Sequence, residues 1–449
     1  MPDIEFVGQS ARDSGNPSAS TSRLINLYRE PVIAGALTQH ILRNAPGATQ
    51  ITELGAASVR AMAAVNGSFY AVCDGMVSKI TPANVVTSIG AVDDGPEVSI
   101  AGNNGAVAVV SGGKYYLHQG NSLTQPVSGA FDAFGSVEYL GGYTMLSQLG
   151  GRLIQWSALA QPESLPGLNF ATAEAKDDLI TRLMVVNDVL WIFKPGAIEL
   201  WVGTGLASAQ AFQAMTGGVH DVGLLAFDLM AKLPNSAAFV GSDGVVYVTS
   251  GTGMQPISTP PLHVAIKTKG PERLFYFEEM GHKFIAITFT SAPAWVYDIA
   301  TGEWAERANG HELTRWNTVA AASIGSKTIV GTRMGKIGEV TSRPVDFGEV
   351  LIRKAVSETL RMKKPLRVKS IEFRGDYGSE ATEALMGLRL SHDGVTFGDE
   401  KTRSMGALGQ YDKRAIFRAC GMFRNLTAEI TVSADVDMPI WATATLEAV

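Results

Sequence analysis

Adjacent carboxylates are the first residues here that could do chemistry: Asp93-Asp94, Asp177-Asp178 and Glu278-Glu279. Two carboxyl groups flanking a glycosidic bond, one as acid and one as base or nucleophile, hydrolyse glycans. Neighbours on a strand point to opposite faces, so adjacent pairs do not converge on one sugar. Glu279-Met280-Gly281-His282 reads instead as the turn of a hairpin. The run His311-Glu312-Leu313-Thr314-Arg315 matches a zinc-protease helix until its last residue, where Arg replaces the second His ligand. Gly325-Ser326-Lys327-Thr328 lacks the glycine before lysine that a phosphate loop requires, and it falls between strands. No G-x-S-x-G elbow occurs, and the seven histidines are scattered singly. No catalytic residue, cofactor site or metal site is expected, and the protein reads as a non-enzyme.

Composition supports a folded chain without membrane or nucleic-acid bias. Of the 449 residues, 46% are hydrophobic and 18% charged, the reverse of the balance that leaves a chain disordered. A net charge of −6 gives the whole molecule no electrostatic pull toward DNA. The most apolar window, 222–240, is broken by Asp228, Lys232 and Pro234, so no stable membrane insertion is expected. Cys73 and Cys420 are too far apart for a zinc knuckle or a C-x-x-C pair. Both are expected to stay reduced in a chain made in a cytoplasm, since Met1-Pro2-Asp3-Ile4-Glu5 does not begin a secretory signal.

The elements that must position any site are strands. Forty-eight glycines without a collagen period imply many tight turns. Residues 59–65, Asn66-Gly67, 68–72, Asp74-Gly75 and 76–80 spell three strands and two two-residue turns. The texture recurs through 98–118, 137–156, 183–202, 237–249 and 284–299. Meanders repeating at roughly 40–50 residues read as propeller blades, and one or two large β-sandwiches are the alternative. Val296-Tyr297-Asp298 with Thr301-Gly302 and Trp304 has the texture of kelch-type blades.

Both ends differ from this body. Residues 12–23 are polar and read as an exposed arm, ending in the apolar Leu24, Ile25, Leu27 and Tyr28. Residues 346–361 read as a short helix or a linker. Arg361, Lys363, Lys364, Arg367, Lys369 and Arg374 form a basic stretch, and alternating strands from 368 to 446 suffice for a small β-sandwich. The basic stretch has three readings: a phosphate contact, an edge strand guarded by charge, or an interface with an acidic partner. Ser391-His392-Asp393-Gly394-Val395-Thr396-Phe397 resembles the Asp-box hairpin of sialidases, a folding device without catalysis.

The ordered series of motifs resembles the packaged-DNA-stabilisation proteins, or tail hub (nozzle) proteins, of short-tailed bacteriophages. It runs through Asn26-Leu27-Tyr28 with Glu30, Asn44-Ala45-Pro46-Gly47 and Phe69-Tyr70-Ala71-Val72. It continues through Phe170-Ala171-Thr172-Ala173-Glu174 with Asp177, Ala197-Ile198-Glu199-Leu200-Trp201, Leu408-Gly409-Gln410-Tyr411 and Arg414-Ala415-Ile416-Phe417-Arg418. Cys420-Gly421 and Phe417 stand where the family often has Leu-Gly and Trp.

The architecture expected is all-β. Residues 1–45 form an arm, 46–345 a six-bladed propeller and 346–449 a sandwich, with arm and sandwich packed together as a platform. The resemblance implies a homohexameric ring in the virion tail, below the portal and adaptor. Such a ring closes the channel after packaging, conducts double-stranded DNA at ejection, and meets tail fibre, spike or needle proteins. Leu24, Leu27, Tyr28, Arg361, Lys363, Lys364 and Arg367 are the residues expected to face the assembly or the channel. A propeller glycoside hydrolase acting on bacterial surface glycans is the alternative function. A free-standing cytoplasmic propeller that binds proteins is the third.

Overall fold

The computed structural model describes residues 3–11, 20–32, 38–375, 383–411, 413–437 and 439–449. Most of the stretch expected as an exposed arm, 12–19, lies outside them, and the Thr21 and Ser22 that follow are buried. The propeller is built from the turns the sequence advertises. Asn66-Gly67 and Asp74-Gly75 all take positive φ, closing the hairpins Val65↔Ser68 and Cys73↔Met76.

Six blades stand as sheets of their own. Five have four strands each, within residues 61–91, 98–124, 134–172, 182–220 and 230–256. The last, 318–341, takes Gly47–Glu53 as its outer strand, paired Lys336↔Glu53 and Thr341↔Gly47. This closes the ring with chain from the N-terminal side. A Cβ on Gly47 would lie 2.0 Å from the Val345 carbonyl oxygen, so only glycine lets the two passes of chain cross there. A further meander, from Pro271–Glu279 to Glu303–Arg307, sits between the fifth blade and the last, and its outer strand continues into the platform sheet. Seven inner strands therefore surround the axis.

Neighbouring blades are glued by aromatic pairs, which bury large area and pack edge to face. Trp156 meets Phe212 at 5.3 Å, and Phe193 meets Phe239 at 5.1 Å. The sequence reading missed the helix Pro260–Lys269, between the fifth blade and the next meander. It opens with Pro at its first positions after Thr259, buries Leu262 and Ile266, and stops at the left-handed Gly270.

The platform is woven from both termini. Arg23–Ile25 pairs with Arg353–Val356, and Ile25 also pairs in parallel with Glu306 of the propeller. Asp3–Glu5 and His40–Asn44 both pair with the last strand, Ile440–Ala448. Residues 346–361, read as a helix or linker, form the short strands Val345–Asp346, Glu349–Val350 and Arg353–Val356, because their backbone completes the last blade and the arm sheet. One apolar core runs through the seam, holding Phe6, Leu24 and Leu27 with Phe277 and Phe284 of the propeller and Phe373, Phe417 and Ile430 of the sandwich.

Polar groups pin the same seam. Asn26, at a positive φ of 56° that Asn tolerates, donates Nδ2 to the Ala308 and Ile352 carbonyls at 2.9 and 2.8 Å. Its Oδ1 accepts the Ala308 amide at 3.1 Å. Arg353, 1% exposed, donates to Asn44 Oδ1 and the Val436 and Ala434 carbonyls within 2.9 Å. Burial lowers its pKa to about 10.

Candidate functional site

The residues singled out for assembly fall into two groups with different fates. Leu24, Leu27 and Tyr28 are 1, 2 and 6% exposed. They are not a surface: the arm strand turns them into the chain's own core, where Tyr28 packs edge-on against Phe284 at 5.5 Å. Desolvation pushes the Tyr28 hydroxyl pKa up. Phe417, Phe423 and Ile440 are buried as well, so apolar residues at both ends of the chain unite arm and sandwich.

Arg361, Lys363, Lys364 and Arg367 are all exposed. They lie on the strand Leu360–Gly375, which from Val368 onward runs between Ala415–Val432 and Ile440–Ala448 but over 361–366 pairs with Ala415–Val432 alone, leaving that half an open edge. In its second half Val368, Ile371 and Phe373 point into the core. In its first half the register jumps, with Arg361 opposite Asn425 and Leu366 opposite Phe423. Residues 362–365 therefore bulge outward across from Arg424, carrying Lys363, Lys364 and Pro365 into solvent. Proline is tolerated there because a bulge forgoes ladder bonds.

The sequence reading missed what the register adds. Arg418 and Arg424, both exposed, stand on the partner strand. Met422, 62% exposed, pairs with Arg367, and His392 stacks on Phe423 at 4.3 Å. Among the described residues Arg361, Lys363, Lys364, Arg367, Arg418 and Arg424 form no ion pair. Farther along, Lys369 meets Glu447 at 3.7 Å, and Arg374 and Arg414 both meet Glu372. The result is a patch of uncompensated positive charge at one end of the platform.

Beside that patch the Asp-box closes as expected. Asp393 Oδ1 accepts the Val395 and Thr396 amides at 2.8 and 2.7 Å, and Ser391 Oγ accepts the Gly394 amide at 2.9 Å. Those bonds hold the Asp393 carboxyl well below the usual range.

The carboxylate pairs spend themselves locally. Asp93 takes Lys114 at 2.7 Å, and Asp94 faces Arg60 at 3.4 Å. Asp177 pairs with Arg152, while Asp178 accepts the Gly196 amide at 3.0 Å. Glu278 takes the Tyr276 hydroxyl, and Met280-Gly281 is the hairpin turn expected. Gly325-Ser326 is likewise a turn between strands. Among the described residues no three His, Cys, Asp or Glu side chains are grouped to hold a metal. Cys73 and Cys420 are both buried and free, and burial pushes the Cys73 thiol up to about 11.

Two family models match the chain. A family model described as the bacteriophage P22 Gp10 β-propeller matches residues 8–344, and one described as the P22 Gp10 β-sandwich matches 354–428. No curated protein matches. Among solved structures, BamB from Moraxella catarrhalis is similar at TM-score 0.41 and 9% identity, covering 66% of this chain and 97% of its own. YCF48 bound to D1 peptide is similar at TM-score 0.44 and 11% identity, covering 69% and 96%.

Proposed function

The chain belongs to the bacteriophage P22 Gp10 family and is a structural protein of the phage tail; on that premise we propose that its copies form the hub, or nozzle, ring below the portal and adaptor. In this reading the ring is a homohexamer made in the host cytoplasm. It closes the channel after packaging, lets double-stranded DNA pass at ejection, and carries tail fibre, spike or needle proteins. It acts by binding and catalyses no step.

The observation that carries the reading is the platform patch. Exposed charges contribute little to folding, so Arg361, Lys363, Lys364, Arg367, Arg418 and Arg424, without partners among the described residues, serve something outside the chain. The arm and the sandwich, by contrast, use their apolar residues on each other.

The test is a phage lacking this gene. The reading predicts particles that package DNA and then lose it, rescued by the wild-type protein in trans. Particles that keep their genome and eject normally would overturn it.

A further inference from the structure

Three asparagines precede a glycine in this chain: Asn66, Asn104 and Asn309. Such pairs are prone to ring closure, because a glycine nitrogen, with no Cβ beside it, can reach the asparagine carboxamide carbon. The fold treats the three differently. Asn309 is 9% exposed; its Nδ2 donates to Asp346 at 2.6 Å and its Oδ1 accepts the Asn317 amide at 2.8 Å. Asn66 and Asn104 occupy the same kind of two-residue turn in neighbouring blades, each at the end of the inner strand. Asn66-Gly67 takes φ of 51 and 70° and closes Val65↔Ser68; Asn104-Gly105 takes 47 and 81° and closes Asn103↔Ala106. All four residues are exposed, and a Cβ on either glycine would meet nothing within 4 Å. One difference separates the turns. Asn104 Nδ2 donates to the Ala160 carbonyl at 2.9 Å, which ties it to the third blade. Among the described residues neither the Asn66 carboxamide nor the Gly67 amide makes a hydrogen bond.

From this contrast we infer that Asn66 is a site of spontaneous deamidation through a succinimide. The Gly67 nitrogen gives its proton to hydroxide and bonds to Asn66 Cγ, and the Cγ–Nδ2 bond breaks to release ammonia. Water then opens the ring at either carbonyl. Cleavage of the new bond leaves aspartate; cleavage of the original peptide bond leaves isoaspartate, whose main chain runs through Cγ. The blade tolerates the two products differently. Aspartate fits, because Asp74-Gly75 forms the next turn of the same blade with φ of 47 and 68°. Isoaspartate lengthens the main chain by one carbon, which a two-residue turn needing positive φ at both positions does not absorb. The turn borders the axial cavity of about 680 Å³, so either product sets a carboxylate at its rim. Neither the tail role nor the basic patch of the platform enters this argument.

Peptide mass spectrometry of the purified full chain, aged in mildly alkaline water enriched in heavy oxygen, tests it. Residue 66 should convert with one heavy oxygen gained and isoaspartate among the products. Asn104 should convert roughly fivefold more slowly, the worth of one neutral hydrogen bond, and Asn309 should stay intact. In denaturant that order should vanish, with all three sites converting at comparable rates. Asn66→Asp should keep the wild-type thermal unfolding, whereas isoaspartate-containing chains should exchange backbone hydrogens faster over 61–73. Asn104 reacting as fast as Asn66 in the folded chain would overturn the proposal. So would an intact Asn66 after the denatured chain has converted, or aspartate formed without isoaspartate.

Discussion

Lys194 and Glu199 form an ion pair at 2.5 Å with side chains 0 and 3% exposed, inside the fourth blade. Lys194 Nζ also donates to the Ala173 and Lys176 carbonyls, each at 2.8 Å, and Glu199 Oε1 accepts the Ala175 amide at 2.8 Å. The pair thus clamps the segment that crosses from the third blade to the fourth, tying two of the family-like motifs, 170–177 and 197–201, into one structure. Removing one partner strands a buried charge, which costs about 3–5 kcal/mol. Glu199→Gln or Lys194→Met should lower stability by that order in chemical denaturation. Lys194→Met combined with Glu199→Leu should recover a good part of it.

Acid should stabilise the seam between propeller and platform. Asp346 is buried beside Asn309, whose Nδ2 donates to it at 2.6 Å, and burial lifts its pKa to about 6 from 3.8. A folded pKa above the unfolded one makes the folded chain bind more protons, so this contribution is complete below 3.8 and is lost as pH rises through about 6. Holding the carboxyl that high costs the charged form about 3 kcal/mol. His282, 2.8 Å from Asp298, is raised too, and its contribution also fades as pH rises above 6.5. Unfolding free energy measured from pH 4 to 6 should fall, and Asp346→Asn should flatten that slope.

Charge reversal on the platform should separate assembly from folding. Lys363→Glu with Lys364→Glu, or Arg424→Glu on the facing strand, should shift unfolding by no more than about 0.5 kcal/mol. The same variants should impair ring formation or genome retention, read by sedimentation and by particle counts. Equal effects from the two strands would show that they work as one surface.

Thiol titration should find both cysteines protected in the folded chain and reactive once it is denatured. Cys73 and Cys420 are buried and free, and desolvation raises both thiol pKa values, which starves the reactive thiolate. Prompt native-state labelling of either would contradict the burial described.

What could be read from the sequence was local. Asn66-Gly67 and Asp74-Gly75 announce their hairpins because two-residue turns need positive φ wherever they occur. The Asp-box likewise closes on neighbouring residues. The helix Pro260–Lys269 was signalled by Thr259-Pro260 and Gly270 but hidden by a weak apolar period. The burial of Leu24, Leu27 and Tyr28 was not legible, since their partners Phe277, Phe284 and Ala355 lie far along the chain. The same distance hid Arg424 across from Lys363 and Lys364, and Arg182 lining one cavity with Arg60 and Arg273. Deleting the first 23 residues would remove Phe6 and Val7 from the core, so the loss would reach platform stability as well as the ring.

Electron microscopy of the purified protein, alone and in its virion, tests the central claim most directly. The account predicts a closed ring in the tail whose contacts between copies are made by the platform, with the basic strand Leu360–Gly375 at a contact or facing the channel and the propellers projecting outward. A monomer absent from the virion, or a ring joined through the propellers with the platform patch facing empty solvent, would contradict it.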